Sequence, residues 1–203
     1  MQFYLTGRIY DWFIEPLVRK IKEKVACCFR THDLFPALDI CCGTGTQCQK
    51  LGNENPYVCG LDIDQSMVAY ASLKYPQRKF ICADAIRVPF KDRSFKGILI
   101  SFSLHDKSSE TQEKIIDEAL RLLHPEGAIV CVDFENPWSI RSKVGSLFAF
   151  MIERIAGHEH FKNNRNFLKK GGLRAFIARH QLIEIERYNI ELGSIAIVLT
   201  KPD

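Results

Sequence analysis

The stretch Ala37-Leu-Asp-Ile-Cys-Cys-Gly-Thr-Gly-Thr46 decides the fold of this chain. A short apolar run leads into two glycines one residue apart, and a helical pattern begins directly after them. Glycine permits positive φ and lets a ligand approach the backbone, and a helix N-terminus presents free N–H donors. The stretch therefore predicts a strand, a tight ligand-binding turn and a helix in immediate succession.

Short apolar runs alternate with helical patterns after this turn. The predicted strands are 37–41, 57–61, 79–83, 97–102 and 128–134, and the predicted helices are 46–51, 65–74 and 110–123. Apolar strands that alternate with helices indicate a parallel sheet covered by helices on both faces. The last helix has the clearest limits, because Ser109 and Gln112 have capping-box spacing while Pro125 and Gly127 end the pattern.

The two ends of the chain follow other patterns. Leu182–Ile190 and Ser194–Lys201 are strand-like runs joined by a few residues, which forces them to be antiparallel. Phe148–Leu173 is a long amphipathic segment that we expect to cap the carboxyl edge of the sheet. One or two helices around Tyr10–Val25 are expected before the first strand. The sequence thus predicts an α/β fold, a parallel sheet that ends in an antiparallel C-terminal hairpin.

Composition limits the class of protein. The chain has 203 residues and a formal net charge of +4, which fits a single domain and is low for a dedicated nucleic-acid-binding domain. It shows neither a secretory-signal pattern nor an apolar run of membrane-spanning length. Its eight cysteines form no C-x-x-C pair, so we expect reduced, structural thiols in a cytoplasmic protein and no metal site.

Three aspartates stand at the ends of successive predicted strands, at Asp39, Asp62 and Asp84. Acids at these positions beside a glycine turn suit a ligand that carries a positive charge and an adenosine. A dinucleotide-dependent oxidoreductase is disfavoured, because Cys48 replaces the third fingerprint glycine and Asp39 would repel a pyrophosphate. The alternative is that each aspartate is merely a helix N-cap.

Four segments together resemble the successive motifs of class I S-adenosylmethionine-dependent methyltransferases. They are the glycine stretch, Gly-Leu-Asp-Ile-Asp-Gln-Ser-Met (60–67), Ala-Asp-Ala-Ile-Arg-Val-Pro-Phe (83–90) and Leu-Leu-His-Pro-Glu-Gly-Ala-Ile-Val (122–130). Tyr10-Asp11 and Val-Asp-Phe-Glu-Asn-Pro (132–137) resemble the ubiquinone/menaquinone-biosynthesis C-methyltransferase branch. The resemblance implies a Rossmann-like sheet of seven strands, although Cys41 stands where the family usually has a glycine.

The resemblance also implies a set of cofactor-binding residues for S-adenosyl-L-methionine. Asp39 and the two glycines would hold the methionine part, Asp62 the ribose, and other residues the adenine and the cavity floor. Met67 has a plain alternative as part of a helix core. The implied set is Asp39, Gly43, Gly45, Asp62, Ile63, Met67, Asp84, Ala85 and Ser101.

Candidates for catalysis and acceptor binding lie elsewhere in the chain. His105 follows the fourth predicted strand and is a candidate general base, with a solvated loop histidine as the alternative. Tyr10, His160 and Phe161 are expected to contact the acceptor, the last two from a lid. The histidines of 157–162 would suit a metal only in an extended segment. The basic run after them, 162–180, is either a solvated helix face or a rim that attracts a carboxylate, a phosphate or an anionic membrane.

We therefore expect a single methyltransferase domain over 1–203. Its parts are a helical cover (1–35), a cofactor-binding core (37–135), a lid with a helix (136–180) and a C-terminal hairpin (181–203). The expected reaction is methyl transfer to a small-molecule acceptor of quinol, phenolic or lipid-like character, with weak peripheral membrane contact and no nucleic acid. The alternatives are an NAD(P)-dependent oxidoreductase and a cofactor-binding regulatory protein without catalysis.

Overall fold

A computed structural model describes residues 2–53, 55–135, 158–190 and 194–203. Within these ranges the helices are α1 (Gln2–Thr31), α2 (Thr46–Gly52), α3 (Gln65–Lys74), α4 (Ser109–Leu122), α5 (His158–Lys169) and α6 (Gly172–Arg179). The strands are β1 (Ala37–Ile40), β2 (Val58–Asp62), β3 (Lys79–Cys82), β4 (Phe95–Ser101), β5 (Leu123–Phe134), β6 (Leu182–Ile190) and β7 (Ile195–Pro202). No helix in the described ranges is both long and apolar enough to cross a bilayer.

The seven strands form one sheet in the order β3-β2-β1-β4-β5-β7-β6. β1 and β2 run parallel, as do β2 and β3, whereas β7 is antiparallel to both β5 and β6. The predicted fold class, a mostly parallel Rossmann-like sheet with antiparallel C-terminal strands, is therefore confirmed.

The chain divides into two compact units, each described here by itself. The first comprises residues 1–99 and 121–128, and the second comprises 100–120 and 129–203. In the first unit all four residues of β1 are buried, and the register pairs Asp39 with Gly60 of β2. Helix α1 packs on α2 and α3. The ends of β1 and β2 therefore bring the glycine turn beside Asp62.

In the second unit the C-terminal half of β5 pairs with β7 from Ile129↔Thr200 to Phe134↔Ile195. β6 covers the other edge of β7, with an irregularity between Glu184 and Glu186. The first six residues of β7 are buried and almost all apolar, as is typical of a strand that is covered on both faces. Helix α6 packs on β6.

Two local features differ from the pattern in the sequence. The amphipathic segment that ends at Leu173 lies partly outside the described residues, and its described part enters two helices separated at Gly171 and Gly172, whose φ angles are +101° and +64°. The start of α4 is capped by Ser108, whose Oγ accepts the Thr111 N–H at 3.2 Å, while Gln112 turns inward. The helical segment breaks at Gly171 and Gly172 because glycine readily adopts positive φ, a conformation that ends a helix.

All eight cysteines are free thiols, as predicted, and five of them are buried. Gly60 of β2 lies directly against two of the buried sulfurs. A Cβ at Gly60 would stand 2.6 Å from the Cys48 Sγ and 2.8 Å from the Cys42 Sγ. The absent side chain of Gly60 thus makes the room in which this thiol pair packs.

Candidate functional site

The turn between β1 and α2 is built from residues in the left-handed region of backbone space. Cys41, Gly43 and Gly45 have φ of +60°, +53° and +73°. A Cβ at Gly43 would meet no atom within 4 Å, whereas one at Gly45 would stand 2.6 Å from the Phe80 ring. Gly43 therefore leaves open space for a ligand, while Gly45 is required by packing and caps the N-terminus of α2.

Asp62, the last residue of β2, holds this turn in place. Its Oδ2 accepts the Gly43 N–H at 2.8 Å, and its Oδ1 accepts the Asp64 N–H at 3.0 Å. Each carboxylate oxygen has a second lone-pair direction, so the side chain can still accept hydroxyl groups. Asp64, not one of the three predicted aspartates, is the N-cap of α3.

Asp39 is a buried carboxylate next to the same turn, with 2% of its surface exposed. Its Oδ2 accepts a hydrogen bond from the Cys48 thiol at 3.2 Å. Burial raises the pKa of Asp39 to about 7, although the Cys48 thiol and the charge of Lys22 act to lower it. A carboxyl group in this state is stabilised as an anion when a cation approaches.

Four predicted cofactor residues follow β2 and β3 in the first unit. Ile63 is 64% exposed, and Met67 is half-buried in α3. Met67 is therefore not a fully buried core residue. Asp84 is exposed and accepts the Ile86 N–H at 3.1 Å, and Ala85 is buried. Neither Asp39, Asp62 nor Asp84 caps a helix.

Helix α1 contacts the glycine turn through residues that the sequence did not single out for this role. Asp11 accepts hydrogen bonds from Thr44 Oγ1 at 2.7 Å, from the Tyr70 hydroxyl at 3.0 Å and from Lys74 Nζ at 2.5 Å. Burial alone would lower the pKa of Lys74, but the hydrogen bonds to Asp11 and Tyr75 raise it above its ordinary value. Asp11 therefore ties α1 to both the turn and α3.

Lys22 makes a second connection from α1 to the turn region. Its ammonium group donates to Thr46 Oγ1 and to Glu15, with 2.5 Å between Nζ and the Glu15 carboxylate. Both Asp11 and Lys22 act across more than twenty residues, and no local pattern marks such pairs. Asp11 stands in the Tyr10-Asp11 pair that carries the family resemblance, but that pair does not predict its contacts with the turn.

In the second unit, the candidate base His105 is 4% exposed, so the reading of a solvated loop histidine is wrong. Its Nδ1 lies 2.7 Å from Oδ1 of Asp133, a fully buried residue of β5. The Asp133 carboxylate also accepts three backbone N–H groups, those of Leu104, His105 and Phe134. Ser101 ends β4 in this unit and is half-buried.

Sequence reasoning did not predict the role of Asp133, although this residue lies in the segment Val-Asp-Phe-Glu that carries part of the family resemblance. A carboxylate inside an apolar strand run requires partners, and that was the available signal. An aspartate on Nδ1 fixes the ring orientation and favours the tautomer that carries its proton on Nδ1. The pair therefore has the arrangement of an oriented base.

The predicted acceptor-binding residues are only partly described. Tyr10 belongs to α1, and His160 and Phe161 belong to α5, but their side chains lie outside the described part of the structure. Residues 136–157 of the predicted lid also lie outside it. The segment from His158 is helical, so the extended conformation that a metal site there would need is not present.

Comparison with known proteins agrees with this geometry. Residues 38–131 match the family described as "Methyltransferase domain". Two relatives are a demethylmenaquinone methyltransferase of Beutenbergia cavernae, 35% identical over 100 residues, and a 2-phytyl-1,4-naphtoquinone methyltransferase of Thermosynechococcus vestitus, 36% identical over 107 residues. The matches cover 49% and 50% of this chain, and 41% and 47% of the relatives.

Residues 38–131 are similar to methyltransferase domains. The predicted resemblance to the class I S-adenosylmethionine-dependent methyltransferases is confirmed for this part of the chain, and with it the expected cofactor class. Both relatives are methyltransferases by name, and neither supports the oxidoreductase alternative. The chain spans less than half the length of these relatives.

Solved structures resemble this chain in fold. The N-methyltransferase NodS of Bradyrhizobium japonicum, in complex with S-adenosyl-L-homocysteine, has a TM-score of 0.59 at 14% identity and covers 82% of this chain and 76% of its own. The PH0226 protein of Pyrococcus horikoshii has a TM-score of 0.63 at 16% identity, with coverage of 82% and 81%. At these identities the likeness concerns the fold alone.

Proposed function

We propose that this chain is an S-adenosylmethionine-dependent methyltransferase that acts on a small phenolic or quinol-type acceptor. The observation that carries the proposal is the glycine turn itself. Open space at Gly43 lies beside the clamped Asp62 and the buried Asp39. A reduced, cytoplasmic setting belongs to the proposal and is supported by the free thiols.

The residues of the turn fit this cofactor in charge and in space. When bound, S-adenosylmethionine supplies an activated methyl group on a positively charged sulfur. Asp39 would face the positively charged end, because its raised pKa reflects a buried carboxyl with little stabilisation of its anion. Asp62 would accept the ribose hydroxyls with the lone pairs that its backbone contacts leave free.

Ile63 and Met67 would pack on the adenine, and Asp84 with Ala85 would recognise its edge. The exposure of Ile63 supports this assignment, since burial against a flat ring would remove apolar surface from water. Ser101 at the end of β4 is proposed for the cavity floor. Tyr10, His160 and Phe161 stay proposals for acceptor contact.

His105 is proposed as the general base for an acceptor that must lose a proton. Asp133 holds the Nδ1 side, so Nε2 would take the proton from a phenolic hydroxyl as the methyl acceptor attacks. Burial of the pair keeps bulk water away from the imidazole. Quinol-type acceptors are proposed because both relatives named above carry quinones in their names.

The cofactor assignment is tested by binding measurements. Asp62→Ala is expected to lower affinity for S-adenosylhomocysteine by about tenfold or more, as measured by calorimetry, because it removes the ribose acceptor and unclamps Gly43. Asp92→Ala, an exposed aspartate paired with Arg121, is the matched control. Thermal stabilisation by NADH but not by S-adenosylhomocysteine would overturn the assignment of S-adenosylmethionine as the cofactor.

The catalytic assignment is tested by turnover. Release of S-adenosylhomocysteine is measured with reduced naphthoquinols, phenols, amines and thiols as acceptors. His105→Gln is expected to lower kcat about 100-fold while cofactor affinity and thermal midpoint stay near wild type. A loss confined to stability would assign His105 a structural role, and no turnover with any acceptor would favour the regulatory alternative.

A further inference from the structure

A cavity of about 250 Å³ lies within the second unit, lined by the start of α4 together with α5, α6 and the residues that join them. Four cationic side chains line it, and among its described lining residues there is no carboxylate. The cations come from three separate parts of the chain and converge only in the fold. They are Lys107, Lys162, Lys170 and Arg179.

Little negative charge compensates these cations. Lys107 pairs with Asp106 at 2.6 Å, and Lys170 Nζ donates to the neutral Ser109 hydroxyl at 2.5 Å. In the described part of the chain, Lys162 and Arg179 have no carboxylate within ion-pair distance. Burial first and then the charge of Arg179 lower the pKa of His180, while Glu113 and Asp117, which do not line the cavity, act to raise it. The cavity therefore holds a net positive potential.

Neutral donors and a helix end add to this potential. Ser109 begins the 14-residue helix α4, so the positive end of its dipole lies at the cavity. Asn163 and Asn166 add amide groups to the lining. Several cations, amide donors and a helix N-terminus together suit a compact anion that has several oxygens.

Hydrogen bonds hold the walls of the cavity in place. Gln112 is buried and donates from Nε2 to the Leu104 carbonyl at 2.8 Å and to the Lys107 carbonyl at 3.1 Å. Asn163 Nδ2 donates to the Asp106 carbonyl at 2.8 Å, which joins α5 to the same loop. The loop before α4 is thus fixed from both sides, and the cavity is formed before any ligand enters.

We propose that this cavity, hereafter the basic cavity, is a binding site for a phosphate group. Its size is below the range of roughly 300–1,000 Å³ that accommodates drug-sized ligands, which favours a group of phosphate dimensions. A soluble phosphorylated metabolite and a phospholipid headgroup present the same chemistry. The proposal uses residues of the second unit only and does not depend on methyl transfer.

The test compares the full chain with two doubly substituted variants of equal charge. Lys170→Ala/Arg179→Ala removes two cations of the basic cavity, and Lys91→Ala/Lys114→Ala removes two exposed lysines outside it. Calorimetry with inorganic phosphate and with phenyl phosphate is expected to show about a tenfold or greater loss of affinity in the first variant and less than about a twofold change in the second. Equal affinity in all three proteins would overturn the proposal, as would an equal loss in both variants.

A vesicle arm identifies the source of the phosphate. Sedimentation with phosphatidylcholine vesicles, with and without phosphatidic acid, tests the headgroup, and competition by phenyl phosphate confirms that the same site is used. Binding of phenyl phosphate without vesicle binding supports a soluble ligand, and binding of neither overturns the site. If the double variant does not fold, Lys162→Ala on exposed surface replaces it and must weaken phosphate binding. Affinity for S-adenosylhomocysteine is expected to stay unchanged throughout.

Discussion

Two buried carboxylates, one in each unit, show how differently the fold treats the same functional group. Asp39 is 2% exposed and receives a side-chain hydrogen bond from a thiol, the Cys48 Sγ at 3.2 Å. Asp133 is fully buried and receives three backbone N–H groups at 2.8 to 3.2 Å, and the His105 ring at 2.7 Å. A thiol is a weak donor, whereas N–H groups are strong ones.

The difference indicates what each carboxylate can do. Burial raises the pKa of Asp39 to about 7, so its anion becomes favourable when an outside cation arrives. The carboxyl group of Asp133 is already surrounded by hydrogen-bond partners from its own unit. A poorly satisfied buried carboxylate is suited to binding, and a fully satisfied one is suited to holding a neighbouring side chain in position.

The largest expected effect is the loss of the satisfied carboxylate. Asp133→Ala removes the acceptor of three buried N–H groups and of His105 Nδ1, which should lower the free energy of unfolding by about 3 kcal/mol or more. Urea unfolding measures this change. Asp84→Ala, at an exposed carboxylate, should change it by less than about 0.5 kcal/mol. Similar values for the two variants would show that the hydrogen bonds of Asp133 do not stabilise the fold.

The two glycines of the turn sharpen the comparison on the Asp39 side. Gly45→Ala should lower the free energy of unfolding by about 2 kcal/mol, because its Cβ would meet the Phe80 ring at 2.6 Å and its φ is positive. Gly43→Ala should lower the free energy of unfolding by only about 1 kcal/mol, from backbone strain, but its Cβ would fill the open space. Cofactor affinity should therefore fall at least as far in Gly43→Ala as in Gly45→Ala. The reverse ranking of cofactor affinities would show that Gly43 does not face the ligand.

Asp39 itself predicts a pH dependence of cofactor binding. Its pKa is raised from 3.8 to about 7, so it is mostly protonated at pH 6 and mostly ionised at pH 8. A cationic ligand selects the ionised form, and affinity should rise about tenfold over this interval. Calorimetry with S-adenosylmethionine measures it, and Asp39→Asn should bind weakly at both pH values with no comparable rise.

The same shift predicts how the stability of the unliganded protein changes with pH. The folded state holds the Asp39 proton more tightly than the unfolded state, so its contribution to stability falls as pH rises from about 4 through 7. Asp39→Asn should remove this part of the pH dependence in urea unfolding. An unchanged profile in the variant would mean that Asp39 keeps an ordinary pKa.

The smallest effect concerns Cys41, which holds a positive φ of +60° without being glycine. Cys41→Gly should raise the free energy of unfolding by up to about 1 kcal/mol, because glycine adopts this conformation without strain. Cys82→Gly makes the same replacement in the strand β3, where φ is not positive, and should lower stability instead. Thermal midpoints of both variants measure the effect, and equal signs would contradict it.

The fold and the centre of the turn could be predicted because their signals are local. The alternation of apolar runs and helices needs only neighbouring residues, and Gly43, Asp39 and Asp62 stand at the ends of such runs. The short connection before β7 was enough to predict antiparallel strands. These features can be predicted from a single sequence because each follows from a few consecutive residues.

The remainder of the site depends on contacts between residues far apart in the chain. Asp11 meets Thr44 and Lys74, and Asp133 meets His105, at separations that no periodicity reports. The packing role of Gly45 depends on Phe80, a residue of another strand. The amphipathic pattern to Leu173 continues through Gly171 and Gly172, although their positive φ separates two helices at this point.

Gly60 limits which substitutions this protein can accept during evolution. The sulfurs of Cys42 and Cys48 fill the space where a side chain at position 60 would lie. A larger side chain at any of these three positions therefore requires a smaller one at another. Substitutions at positions 42, 48 and 60 should therefore have been accepted in compensating steps. In a set of descendants of the same gene, these three positions are expected to vary together, even though they lie on three different elements.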